Sequence, residues 1–147
     1  EKARYLHATA VSLRCLQASY LLTDYVGSVT GDYLFIGDIP NNDARAVRWP
    51  WFAFNGASLT MAKALDDVGI GEDRCMWANV HSHLVADQDH QRQLFAFMRQ
   101  YKGKIVALGR TADRFLRSIE HVTLPHPAYV KRFKGAEKMS KYLEQLK

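Results

Sequence analysis

The chain has 147 residues, 48% hydrophobic and 24% charged, the size and apolar content of one ordinary domain, which excludes a disordered chain and two full-sized domains. Twenty Lys and Arg against fifteen Asp and Glu leave a net charge of +5 and a pI near 9.3, compatible with a polyanionic partner. Cys15 and Cys75 are the only cysteines, so a disulfide framework, a four-cysteine zinc site and a four-cysteine iron–sulfur cluster are excluded by count.

No apolar run approaches the roughly 20 residues that span a bilayer. Glu1 to Arg14 lacks the apolar core and small-residue cleavage site of a signal peptide. The expectation is one domain over residues 1–147, intracellular (cytoplasmic or nucleoid-associated), with no membrane partner.

Ala3 to Tyr25 keeps Leu6, Leu13, Leu16, Tyr20 and Leu21 at mostly helical spacing, predicting one helix or two short ones before Gly27 and Gly31. Tyr33-Leu34-Phe35-Ile36 is a continuous apolar run ending in Gly37, the pattern of a buried parallel strand. Asp38 to Trp51 is a loop rich in turn formers, long enough to be expected to carry function. Gly56 to Val68 predicts an amphipathic helix with Leu59, Ala62 and Leu65 inward, stopped by Gly69.

The alternation then repeats. Cys75 to Val80 is a second strand, with Asn79 and His81 near its end, and Asp87 to Tyr101 a helix closed by Gly103. Lys104 to Leu108 is a third strand, followed from Gly109 by a helix through Ile119. Val122 to Leu124 is a fourth strand running into Pro125-His126-Pro127, and Phe133 to Leu146 a closing basic helix. The fold expected is α/β: a three-layer sandwich whose central, mostly parallel four-stranded sheet is flanked by helices. Such sheets bind ligands at the carboxyl ends of their strands, where Gly37 to Asn41, Asn79 to His81 and His126 to Tyr129 fall.

With these segments in view, the sequence resembles the uracil-DNA glycosylase superfamily over roughly residues 33–134. LFIGDIPN is similar to its first motif, a strand and a Gly-x-x-Pro loop. FNGASLTMAKAL, MWANVHS, VALGRTADRFL and HPAYVKR resemble, in order, the later segments of its iron–sulfur branch. The resemblance implies a glycosylase-like enzyme that flips a uracil or modified pyrimidine from DNA into a pocket and hydrolyses its N-glycosidic bond. It implies the same sandwich fold and a DNA partner, single- or double-stranded, or a nucleotide.

The resemblance also implies roles. His126 would donate to the carbonyl oxygen on which the leaving base gathers charge. The Asn79 amide, one donor and one acceptor, would read the pyrimidine edge. Phe54 would stack on the flipped base, and Gly37 and Ile39 would complete the base pocket. Asp38 would orient the water or balance the sugar cation. Tyr129 or Val130 would wedge into the helix, while Lys131 and Arg132 hold phosphate.

The chain departs from the family pattern at four positions. Ile39 stands where the best-known branch has a catalytic Asp, Asp38 where Gln or Glu is usual, Asn41 where Tyr or Gly follows the proline, and Ala128 where the last motif has Ser. Two cysteines cannot hold the branch's cluster, so no cofactor or metal is expected. His81, His83, Asp87 and His90 form a second constellation: zinc is one reading, and phosphate contact at the rim near Asn79 is the preferred one. Two functional alternatives stand beside the hydrolase. One is a non-cleaving base- or nucleotide-binding protein of the same fold; the other is an enzyme acting on a free or hypermodified nucleotide.

Overall fold

A computed structural model describes residues 22–38, 56–82, 84–133 and 136–147 of the chain. Strand β1 is Val26–Gly27, β2 Tyr33–Gly37, β3 Cys75–Asn79, β4 Lys104–Leu108 and β5 Val122–Leu124. Helix α1 is Gly56–Val68, α2 Asp87–Met98, α3 Arg110–Phe115, α4 Pro127–Phe133 and α5 Ala136–Glu144, and a 3-10 turn at Glu72–Arg74 leads into β3.

The five strands form one sheet in the order β1-β3-β2-β4-β5. β3, β2, β4 and β5 are mutually parallel and β1 is antiparallel to β3. The α/β class stands, whereas the expected four-stranded sheet is corrected to a mixed five-stranded one. All four predicted strands are present. The fifth was invisible because two residues hold no period. Gly27, at φ +100°, lets β1 close on β3, since a Cβ there would collide with the Cys75 carbonyl oxygen.

Because β2, β3 and β4 are covered on both sides, their alternate residues feed two separate cores. Tyr33, Phe35, Cys75, Trp77, Val106 and Leu108 pack with Met61, Leu65 and Val68 of α1, Val130 of α4, and Met139 and Leu143 of α5. Leu34, Ile36, Met76, Ala78, Ile105 and Ala107 pack with Leu94, Phe97 and Met98 of α2 and Ala112 of α3. Phe35 stacks on Trp77 with ring centroids 4.6 Å apart. Each such fully buried large side chain contributes about 2–3 kcal/mol.

Several boundaries shift from those predicted. α1 buries Met61, Ala64, Leu65 and Val68, an i, i+3, i+4, i+7 set, while Leu59 and Ala62 face solvent. It ends where Gly69, at φ +76°, closes a Schellman turn: the Gly69 and Ile70 N–H groups donate to the Asp66 and Leu65 carbonyls at 3.1 and 3.0 Å. Leu22 to Tyr25 is not helical, and the earlier part of the predicted N-terminal helix lies outside the described residues. The helix after β4 stops at Phe115 instead of Ile119. The largest change is at the last motif, where α4 begins directly at Pro127, whose fixed φ and missing N–H suit the first helical position.

Candidate functional site at the carboxyl ends of the strands

β2 sends its chain toward the α1 face and its neighbour β4 toward the α3 face, and between two such strands an open α/β sheet leaves a crevice. Both strands end in residues without a side chain. Gly37 closes β2 and Gly109 follows β4, so the floor between them is backbone, with Gly37 buried and the His126 ring packed over Gly109. β3 and β5 flank it and deliver Asn79 and His126. Three strand spacings, about 14 Å, separate those flanks. A ligand touching both must therefore lie across the glycine floor.

His126 caps α4. Its Nδ1 accepts the Ala128 N–H at 3.0 Å and its carbonyl accepts the Val130 N–H at 3.1 Å. A nitrogen that accepts carries no proton, so the neutral ring holds its hydrogen on Nε2. Burial pushes the pKa of His126 below the ordinary 6.5, against the weaker upward pull of the Asp38 charge. The imidazole is thus a neutral donor of fixed tautomer, and Asp38 lies near enough for its field to reach it. Gly109, at φ +95°, makes room for this ring: a Cβ at 109 would stand 3.1 Å from the His126 Cβ.

Asn79 is buried and in register with Gly37, and the next residue's N–H, on Val80, donates to the Gly37 carbonyl at 2.9 Å. Strand alternation puts Asn79 on the Trp77 side of the sheet, the side that α4 covers. The fully buried His90 of α2 donates from Nε2 to the Asn79 carbonyl at 2.6 Å and so fixes this strand end.

His81 stands between two carboxylates. Its Nδ1 is 3.0 Å from Asp87 Oδ2, its Nε2 is 3.8 Å from Asp38 Oδ1, and its N–H donates to the Asp38 carbonyl at 3.0 Å. The loop between His81 and Asp87 is pinned by Ser82. The Ser82 hydroxyl donates to the buried Asp24 and accepts the Leu84 and Val85 N–H groups at 3.0 and 3.1 Å.

The predicted site residues divide accordingly. Gly37, Asp38, Asn79 and His126 come to one rim. Ile39 and Phe54 lie outside the described residues. Val130 is corrected: it is fully buried in the α1-side core and is no wedge, because α4 turns it inward. Tyr129 is about half exposed and Arg132 exposed on the same helix, and the Lys131 side chain lies outside what is described. Of the zinc set, His90 is turned to the Asn79 carbonyl and His83 lies outside the described residues; among the described residues no group of three possible ligands occurs.

Sequence reasoning grouped His81 with Asp87 but missed the approach of Asp38 to His81, the packing of His126 against Gly109 and the Asp24–Ser82 clamp. Two cavities, of about 400 and 520 Å³, lie at the opposite, amino end of the strands around Gln100 to Lys104 and hold none of these residues. Comparison with protein-family models and with curated proteins finds no match. Among the described residues no helix is long and apolar enough to cross a membrane.

Proposed function

We propose that the chain is a DNA glycosylase-like hydrolase that receives a flipped uracil or modified pyrimidine over the ends of β2 and β4 and cleaves its N-glycosidic bond. The observation that carries the reading is the meeting at one rim of a neutral, proton-bearing imidazole, packed over Gly109, and of an amide in register with Gly37. A pyrimidine edge needs such donors and acceptors. The order of the five glycosylase-like segments supports the same reading.

In this reading His126 Nε2–H donates to the base carbonyl as the base leaves as an anion. Comparable oxyanion donors contribute about 3 kcal/mol to the transition state. A neutral donor suits this task, because it gains most from the charge that develops only as the bond breaks. The Asn79 amide pairs with the remaining edge. Asp38 balances the oxocarbenium character of the sugar. Tyr129 and Arg132, on the helix that His126 caps, meet the DNA backbone beside the flipped nucleotide, with Lys131 next in sequence.

The test is a strand-cleavage gel with single-stranded and duplex oligonucleotides carrying uracil or hydroxymethyluracil. Alkali-labile abasic product is expected with at least one. No abasic product from any of them overturns the hydrolase reading, and binding that survives without cleavage would make the chain a base-binding protein.

A further inference from the structure

We infer that His81, held by Asp87, is the general base that takes the proton of the attacking water, a role that rests on the hydrolase reading above. A carboxylate only accepts, so the 3.0 Å contact between Asp87 Oδ2 and His81 Nδ1 places a hydrogen on Nδ1. The neutral ring then presents its lone pair at Nε2. A nucleophile-activating base oriented by a third group has this arrangement in general.

What Nε2 faces makes the assignment specific. Asp38 Oδ1 is 3.8 Å away, too far for a direct hydrogen bond, so two acceptors confront each other across a short gap. A water donating to both at ordinary lengths of about 2.8 Å would span an angle of about 85°, close to what its two O–H bonds can offer. Such a water has both protons engaged and its lone pairs turned outward, as an attacking water must.

The supporting shell is rigid. The His81 N–H is tied to the Asp38 carbonyl, and Ser82 is locked by the buried Asp24 and two backbone N–H groups. The groups facing His81 are Asp38 after β2 and Asp87 in α2, with His126 beyond Asp38 ahead of α4.

The step balances as follows. The C1′–N bond breaks and its electron pair leaves with the base, held as an anion by His126. The water oxygen forms the C1′–O bond, and its proton passes to His81 Nε2, giving an imidazolium between two carboxylates. The base anion later takes a proton from solvent, and the imidazolium returns its proton to solvent.

The deciding experiment is single-turnover cleavage of a uracil-containing oligonucleotide by the wild-type chain and by His81→Asn, His81→Ala and Asp87→Asn, followed from acid to neutral pH. His81→Asn is expected to lower the rate on the order of 10²-fold or more, to lose the acid limb of the pH profile, and to keep oligonucleotide binding. Added imidazole should restore part of the His81→Ala rate. Asp87→Asn, acting only through orientation, should fall less and keep the limb. A His81→Asn rate equal to wild type, with the acid limb intact, overturns the inference while leaving the hydrolase reading in place; a wild-type chain that releases no base overturns both. His81 is about a third exposed, and matching thermal melts would show the variants folded.

Discussion

His126 combines a structural and a chemical duty, and the two constrain each other. Because Nδ1 caps α4 as an acceptor, protonating the ring breaks the cap and places charge on a half-buried side chain. The folded state therefore binds the proton more weakly than the unfolded chain. This contribution to stability is present above the ordinary pKa of 6.5 and is lost as pH falls below it toward the depressed folded value. His121 has the opposite sign. Burial lowers its pKa, but its bonds to the Ile119 carbonyl at 2.6 Å and to Asp113 at 2.8 Å outweigh this, so both ring nitrogens donate and the net shift is upward. Its contribution is complete below 6.5 and lost as pH rises through the raised folded value. Melting curves of wild type and His126→Asn, which keeps a capping acceptor, separate the two. Wild type should lose more stability than the variant as pH falls below 6.5, and equal slopes would contradict the neutral capping imidazole. His126→Ala should cost about 1 kcal/mol of stability through the lost cap and about 10²-fold in cleavage.

At the scale of elements, the site depends on where strands stop and what the next helix begins with. Gly109 combines a left-handed φ with the nearness of the His126 ring, so Gly109→Ala strains the backbone and pushes the capping imidazole. The expected result is a loss of about 1–3 kcal/mol in stability with cleavage reduced by at least tenfold, since a displacement well under 1 Å misplaces the donor. Wild-type activity in that variant would show that the ring position does not matter. α4 offers a sharper contrast between neighbours. Tyr129→Ala should leave stability within about 0.5 kcal/mol and weaken oligonucleotide binding, whereas Val130→Ala, emptying a fully buried position, should cost about 2 kcal/mol with binding unchanged in the folded fraction.

The same helix shows how much of the molecule was legible. The strands β2, β3 and β4 could be read because a sheet covered on both faces writes itself as continuous apolar runs. The two glycine ends and the residues beside them could be read for the same reason, since strand ends are punctuated. Helix phase was less legible: Leu59 fits an apolar face by type, yet Met61 is the residue that α1 buries. HPAYVKR looked like a loop because two prolines flank a histidine, and only tertiary packing of Val130 shows it starting a helix. Contacts between segments, such as His81 with Asp87 and Asp38, have no period at all and appear only once the fold closes.

For the whole molecule, the sheet offers a ligand two ends, and the proposed site lies at one. The carboxyl end has the neutral His126 and the Asp38–His81–Asp87 row, while the amino end has two cavities, one of them lined by the His121 that Asp113 holds. The net charge of +5 adds a salt-dependent attraction for DNA without choosing between them. Titrating the isotope-labelled chain with a uracil-containing oligonucleotide and following backbone amide resonances distinguishes the two ends directly. Gly37, Asn79, Gly109 and Ala128 are predicted to shift most and to saturate together. Shifts confined to Val29 to Asp32 and Gln100 to Gly103 would put the ligand at the amino end and contradict the account.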